Sequence, residues 1–127
     1  MDITEIRSLH TDTSVMIERT LREAEAMDAL ADLGEERRSE RSETIEVLSV
    51  ESNEHGISGR VQGVSKAYTV SITITPKRSY RCSCPDSRQS GRVVGPCKHT
   101  LAFARHYRAS LQTDLDRIST ALVNCLF

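Results

Sequence analysis

Four side chains able to hold a metal ion fall close together in this 127-residue chain: Cys82-x-Cys84, a stretch of twelve residues, then Cys97-x-His99. Thiolate sulfur and imidazole nitrogen are ligands that Zn²⁺ prefers, and three Cys with one His complete a tetrahedron. A closed set leaves no position for a substrate or an activated water, so the site is expected to be structural and the chain not to be an enzyme. Two disulfides are the other use of four cysteines, but Cys82 and Cys84 are too close to pair comfortably and the N-terminus shows no secretion signal. A nucleophilic cysteine would need an activating base, a part His99 fills less well than that of ligand. Cys125 reads as a small buried apolar residue, and His106 as an exposed or core-edge one.

These ligands need elements to carry them. Tyr80-Arg81-Cys82-Ser83-Cys84-Pro85-Asp86 runs from a strand into a turn, and the i, i+2 spacing is expected to need a local kink for both sulfurs to face one metal. Gly95-Pro96 opens a helix whose first residues carry the second pair. Upstream, Tyr68, Val70, Ile72 and Ile74 alternate with Thr69, Ser71, Thr73 and Thr75, a period of two that buries one face of a strand. Ile45–Val50 and Ile57–Val61 read as two weaker strands, which makes a three-stranded antiparallel meander followed by the metal hairpin. The stretch from Thr13 to Glu43 reads as helix, with Ile17, Leu21, Ala24 and Ala31 near one face, and it changes face or breaks near Gly34. Leu111, Leu115, Ile118, Leu122 and Leu126 recur every three or four residues as an amphipathic C-terminal helix. The expected fold is α+β: an acidic helical region over residues 1–43, an antiparallel sheet with a ββα metal module over 44–109, and a C-terminal helix over 110–127.

The Cys-Ser-Cys-Pro-Asp run and the Pro96-Cys97-Lys98-His99-Thr100-Leu101-Ala102 run together resemble the SWIM-type zinc finger, over roughly Tyr68 to Tyr107. The resemblance implies a ββα zinc module with Cys82, Cys84, Cys97 and His99 as ligands. It also implies binding to DNA or protein partners, as in chromatin-remodelling ATPases, transposases and proteins that assist RecA-type recombinases. The chain has no room for an ATPase or transposase domain.

Charge is unevenly placed along the chain. Residues 1–54 hold 15 acidic and 6 basic side chains, a balance of −9. From Pro76 to Arg108 eight cations (Lys77, Arg78, Arg81, Arg88, Arg92, Lys98, Arg105, Arg108) face the single acid Asp86, a balance of +7. One or two cations would offset the net charge of a three-thiolate zinc site; eight point to an anionic partner. DNA is the expected partner, met mainly at phosphates by Lys77, Arg78, Arg88, Arg92, Arg105 and Arg108 and without sequence preference. Tyr80 or Tyr107 is a candidate for stacking on a base. The alternative is a protein-interaction adaptor for a RecA-type recombinase or other DNA-transaction machinery, with a protein partner or a homodimer formed through the N- or C-terminal helix. Apolar runs stay well short of the roughly 20 residues that cross a bilayer, so no membrane is expected, and the compartment should be reducing: cytoplasmic, nuclear or nucleoid-associated.

Overall fold

A computed structural model describes residues 3–34, 36–85 and 95–126 and shows an α+β fold. The order is α1 (Ile3–Asp32), α2 (Glu36–Ser42), β1 (Val47–Ser52), β2 (Gly56–Gln62), β3 (Ala67–Thr73), β4 (Ser79–Cys82) and α3 (Lys98–Leu126). The strands form one antiparallel sheet in sequence order, β1-β2-β3-β4. Among the described residues no helix is long and apolar enough to cross a membrane.

The alternation in β3 works as expected: Val70, Ile72 and Ile74 are buried. Their partners continue the apolar face across the sheet, with Ile57 opposite Ile72, Gly59 opposite Val70 and Cys82 opposite Val70 on the other side. The other face is polar, with Arg60, Thr69 and Arg81 exposed and Ser58 and Ser71 half-buried. α3 crosses all four strands on the apolar side, and α1 and α2 pack against α3. Phe103 of α3 is fully buried at this contact. Gly59 lets the helix come close, because a Cβ there would lie 2.5 Å from the Phe103 ring and closer still to the Ser49 carbonyl oxygen.

Three expectations about the elements are corrected. The first helix begins at Ile3, ten residues before Thr13, and ends at Asp32; no glycine or proline interrupts it. Of the two alternatives expected near Gly34, the break is the one found, and a second short helix follows it. The buried side of α1 is Thr20, Glu23, Ala24, Ala26, Met27 and Leu30, whereas Leu21 is 53% exposed and Ala31 lies outward. Polar residues on the inner face displaced the sequence-based stripe. Thr20 returns its hydroxyl to the Met16 carbonyl at 2.8 Å, and Glu23 is held by Arg19 one turn earlier and by Tyr107 of α3, so both tolerate burial. Finally, the metal-bearing helix and the C-terminal helix are one unbroken 29-residue helix, α3.

Candidate metal centre

Cys82 ends β4 and Cys84 follows two residues later. Ser83 continues the ladder to β3, donating its backbone N–H to the Thr69 carbonyl at 3.0 Å while its hydroxyl accepts the Thr69 N–H at 3.0 Å. Ser83 is half-buried between two buried cysteines, and the strand ends at Cys82 with a bend at Cys84, in line with the expected local kink. The second pair arrives on α3. Gly95 adopts φ = +91°, and a Cβ there would meet the Leu33 carbonyl oxygen at 2.6 Å, so glycine is what lets the chain turn beneath the end of α1. Pro96 is buried behind it, and the helix starts at Lys98.

Cys97 caps that helix. Its sulfur lies 3.5 Å from the Thr100 backbone N–H, which donates to it, and 3.3 Å from the Thr100 hydroxyl. This is the N-cap relation, with the cap side chain satisfying an N–H that has no partner inside the helix. The partial positive charge of a helix N-terminus favours a thiolate at this position.

The donor atoms of Cys82, Cys84, Cys97 and His99 all lie within 4.8 Å of one another, and all four residues are buried. In a tetrahedral site with bonds of about 2.3 Å, ligand atoms stand about 3.7 Å apart. An ion therefore fits after a contraction of about 1 Å at most. The three cysteines are reduced. The Cys82 thiol is pushed well above its ordinary range, first by its hydrogen bond to Cys97 and then by burial. His99 Nδ1 is buried without a hydrogen-bond partner, a costly state for a ring nitrogen unless something else engages it. Tyr68 packs on the imidazole, with ring centroids 4.8 Å apart and a 56° tilt, and Lys66 Nζ sits over the Tyr68 ring, 5.8 Å from its centre. An orphaned imidazole nitrogen among three buried sulfurs is a donor set suited to a metal ion.

The cations expected to meet DNA are not placed alike. Arg78 contacts Glu25 at 3.3 Å, and Arg108 contacts Asp28 at 3.1 Å and Gln112 at 3.1 Å. Arg105 reaches the Ser39 carbonyl at 3.4 Å. These three arginines of the basic stretch are thus turned toward α1 and α2. Lys77 and Arg81 are exposed, Lys98 is half-buried beside the ligands, and Arg88 and Arg92 lie outside the described residues. Tyr80 is 39% exposed, but Tyr107 is half-buried and its hydroxyl donates to Glu23, so Tyr107 is not available to stack on a base. Burial, then the Glu23 carboxylate, pushes the Tyr107 hydroxyl up from its ordinary range. His106 is exposed, as expected, while the side chain of Cys125 lies outside what is described.

The sequence reading missed two features. One is Cys97 as a helix cap, which Cys97-x-x-Thr100 at a Gly-Pro helix start could have signalled. The other is the Arg19–Glu23–Tyr107 cluster between α1 and α3, in which Arg19 Nε donates to Glu23 at 3.1 Å. Comparisons with protein-family models, curated proteins and solved structures give no match.

Proposed function

We propose that the chain is a non-enzymatic zinc protein whose basic SWIM-like module binds DNA, mainly through phosphates. The observation that carries the zinc assignment is the closed, buried Cys₃His cluster at the junction of β4 and α3. Such a donor set suits Zn²⁺, and a filled tetrahedron holds structure rather than activating water. The resemblance of the Cys-Ser-Cys-Pro-Asp and Pro-Cys-Lys-His runs to the SWIM-type finger supports the same reading.

The DNA reading rests on the cations of the Pro76–Arg108 stretch. Lys98 lies between two of the ligands and Arg81 precedes Cys82 on the opposite face of the sheet, Lys77 is exposed in the β3–β4 turn at the other end of the sheet, and Arg88 and Arg92 belong to the segment between the ligand pairs. Arg78 and Arg108 hold exposed ion pairs with α1, and an exposed pair is worth about 0–1 kcal/mol, so exchanging a carboxylate for a phosphate costs little. If about four cations meet phosphates, log affinity falls with log salt at a slope of roughly −3.6. A second reading, a protein adaptor, is favoured by those same arginines, because cations bonded within the chain leave a smaller field for a polyanion.

The test is salt-dependent DNA retention by the zinc-loaded protein, with one zinc per chain checked by elemental analysis. Lys77→Ala with Arg81→Ala should weaken binding and flatten the slope. Glu25→Gln with Asp28→Asn, which releases Arg78 and Arg108, should strengthen it. No retention of single- or double-stranded DNA at low salt by any of the three proteins sinks the DNA reading and puts the adaptor in front.

A further inference from the structure

Thr100 uses its hydroxyl differently from other threonines of the helices. Thr20 in α1 and Thr113 and Thr120 in α3 return theirs to the carbonyl four residues earlier, at 2.8, 3.3 and 2.9 Å. That is the ordinary local bond of a threonine inside a helix. Thr100 lies in the first turn of α3, and the residue four positions before it is Pro96, outside the helix. Its hydroxyl meets Cys97 Sγ instead, at 3.3 Å, beside its own backbone N–H at 3.5 Å from the same sulfur. One residue thus brings two polar groups to one metal-ligand atom.

Depth makes the arrangement matter. Thr100 is 0% exposed and Cys97 is 2% exposed, and Leu101, Ala102, Phe103 and Ala104 follow as buried apolar residues. A hydroxyl at such a position costs free energy unless it is bonded, whereas a valine of nearly the same shape would carry no such cost. The sulfur has the complementary need. A cysteine that ligates zinc carries no proton, so Cys97 Sγ can only accept and the Thr100 hydroxyl must donate. Three thiolates also outweigh the charge of one Zn²⁺, and the excess negative charge of a buried site has to be met by hydrogen bonds and dipoles. The N–H and hydroxyl of Thr100 meet it at one sulfur, at the positive end of α3.

We infer that Thr100 is a positioning residue of the metal centre: its hydroxyl holds the Cys97 sulfur in place as a thiolate acceptor and so sets how tightly zinc is retained. The inference rests on the zinc reading and adds to it a residue that does not itself touch the ion. Removing a group that stands behind a metal ligand in this way typically costs about 10–100-fold in metal affinity.

Two variants of the full chain separate the hydroxyl from the space it fills. Thr100→Val keeps the shape and the backbone N–H and removes the hydroxyl; Thr100→Ser keeps the hydroxyl and removes a methyl. Competition with a chromophoric chelator measures zinc affinity, and Co²⁺ in place of zinc reports on the sulfurs through its thiolate-to-metal charge-transfer band. Thr100→Val should bind zinc about 10-fold or more weakly. Its charge-transfer band should move to longer wavelength, because a sulfur that loses a hydrogen-bond donor holds its lone pair less tightly. Thr100→Ser should keep the parental band and most of the affinity, although it packs less well. A valine variant with parental affinity and an unmoved band would overturn the inference, and so would a serine variant that matches valine in both. Failure of the parent itself to take up Zn²⁺ or Co²⁺ would remove the zinc reading, and this inference with it.

Discussion

Cys97 has two roles in the structure, and one atom's change separates them. As a candidate metal ligand its sulfur belongs to the Cys₃His cluster; as the cap of α3 it accepts the Thr100 N–H. Serine is among the best N-cap residues but a poor zinc ligand, whereas alanine is neither. In Cys97→Ser the cap survives and the metal site does not. With zinc present, the loss should be large, because metal binding free energy acts directly as folding free energy in small zinc domains and is of order 10 kcal/mol for a complete site. The Ser and Ala variants should therefore both be metal-poor and melt far below the parent. Without zinc the order changes: under chelator, Cys97→Ser should exceed Cys97→Ala by about 1 kcal/mol, the ordinary worth of a cap. For a domain of this size that is a difference in Tm of roughly 3–5 °C. Zinc per chain by elemental analysis and thermal melts with and without chelator measure both halves. Full zinc occupancy with parental melting in both Cys97→Ser and Cys82→Ser would refute the ligand assignment. Equal melting of the Ser and Ala variants under chelator would refute the capping role alone.

Gly59→Ala should destabilise the fold by about 2–3 kcal/mol, because its Cβ enters the space of the Ser49 carbonyl and the Phe103 ring and a packed core does not yield without backbone shifts; urea titration measures it, and a change within 0.5 kcal/mol would contradict the close approach of α3 to the sheet. The metal-free protein should lose stability as pH rises above about 8.5, where an unfolded thiol ionises while Cys82, raised by Cys97 and burial, stays protonated. The folded state then holds the extra proton, and the slope is about −1.4 kcal/mol per pH unit per thiol. With zinc bound the folded thiolates hold no proton, so the sign reverses and stability falls as pH drops below the thiol range. Urea midpoints against pH with and without chelator should show opposite slopes, and parallel slopes would contradict metal ligation by these thiols.

The metal centre was legible in the sequence because its signal is local. Ligand types, a strand signature before Cys82 and a Gly-Pro helix start before Cys97 sit within a few residues of the atoms they position. Strand β3 was legible for the same reason, since its alternation from Tyr68 to Ile74 reports burial directly. β1 was displaced: Ile45–Val50 was expected, and Val47–Ser52 pairs, with a bulge between Val47 and Ser49. An edge strand whose residues are almost all exposed carries no burial pattern to read. The inner face of α1 was misread because burial there follows partners rather than hydrophobicity. Glu23 is buried because Arg19 and Tyr107, four and 84 residues away, satisfy it. The spacing 16, 20, 23, 27, 30 was present in the chain, but an acid and a threonine within it hid the stripe.

Charge shows most clearly what folding adds to a linear reading. Along the chain, the −9 of the first 54 residues and the +7 around the cysteines look like two regions with separate partners. In space, α1 lies beside the metal-bearing helix, Glu25 meets Arg78, and Asp28 meets Arg108. Met27 and Leu30 share one core with Ile72, Cys82 and Cys97. The acidic helix is thus part of the structure that holds the metal ligands, and removing it would open that core as well as take away charge. On the DNA reading, Glu25 and Asp28 would compete with phosphate for Arg78 and Arg108, each pair weak. A polyanion that displaces them would gain two cations at a cost of at most about 1 kcal/mol per pair. A protein partner that leaves them in place meets a nearly neutral surface. The same two ion pairs therefore divide the DNA reading from the adaptor reading, which is why neutralising Glu25 and Asp28 is more informative than truncating the helix that carries them.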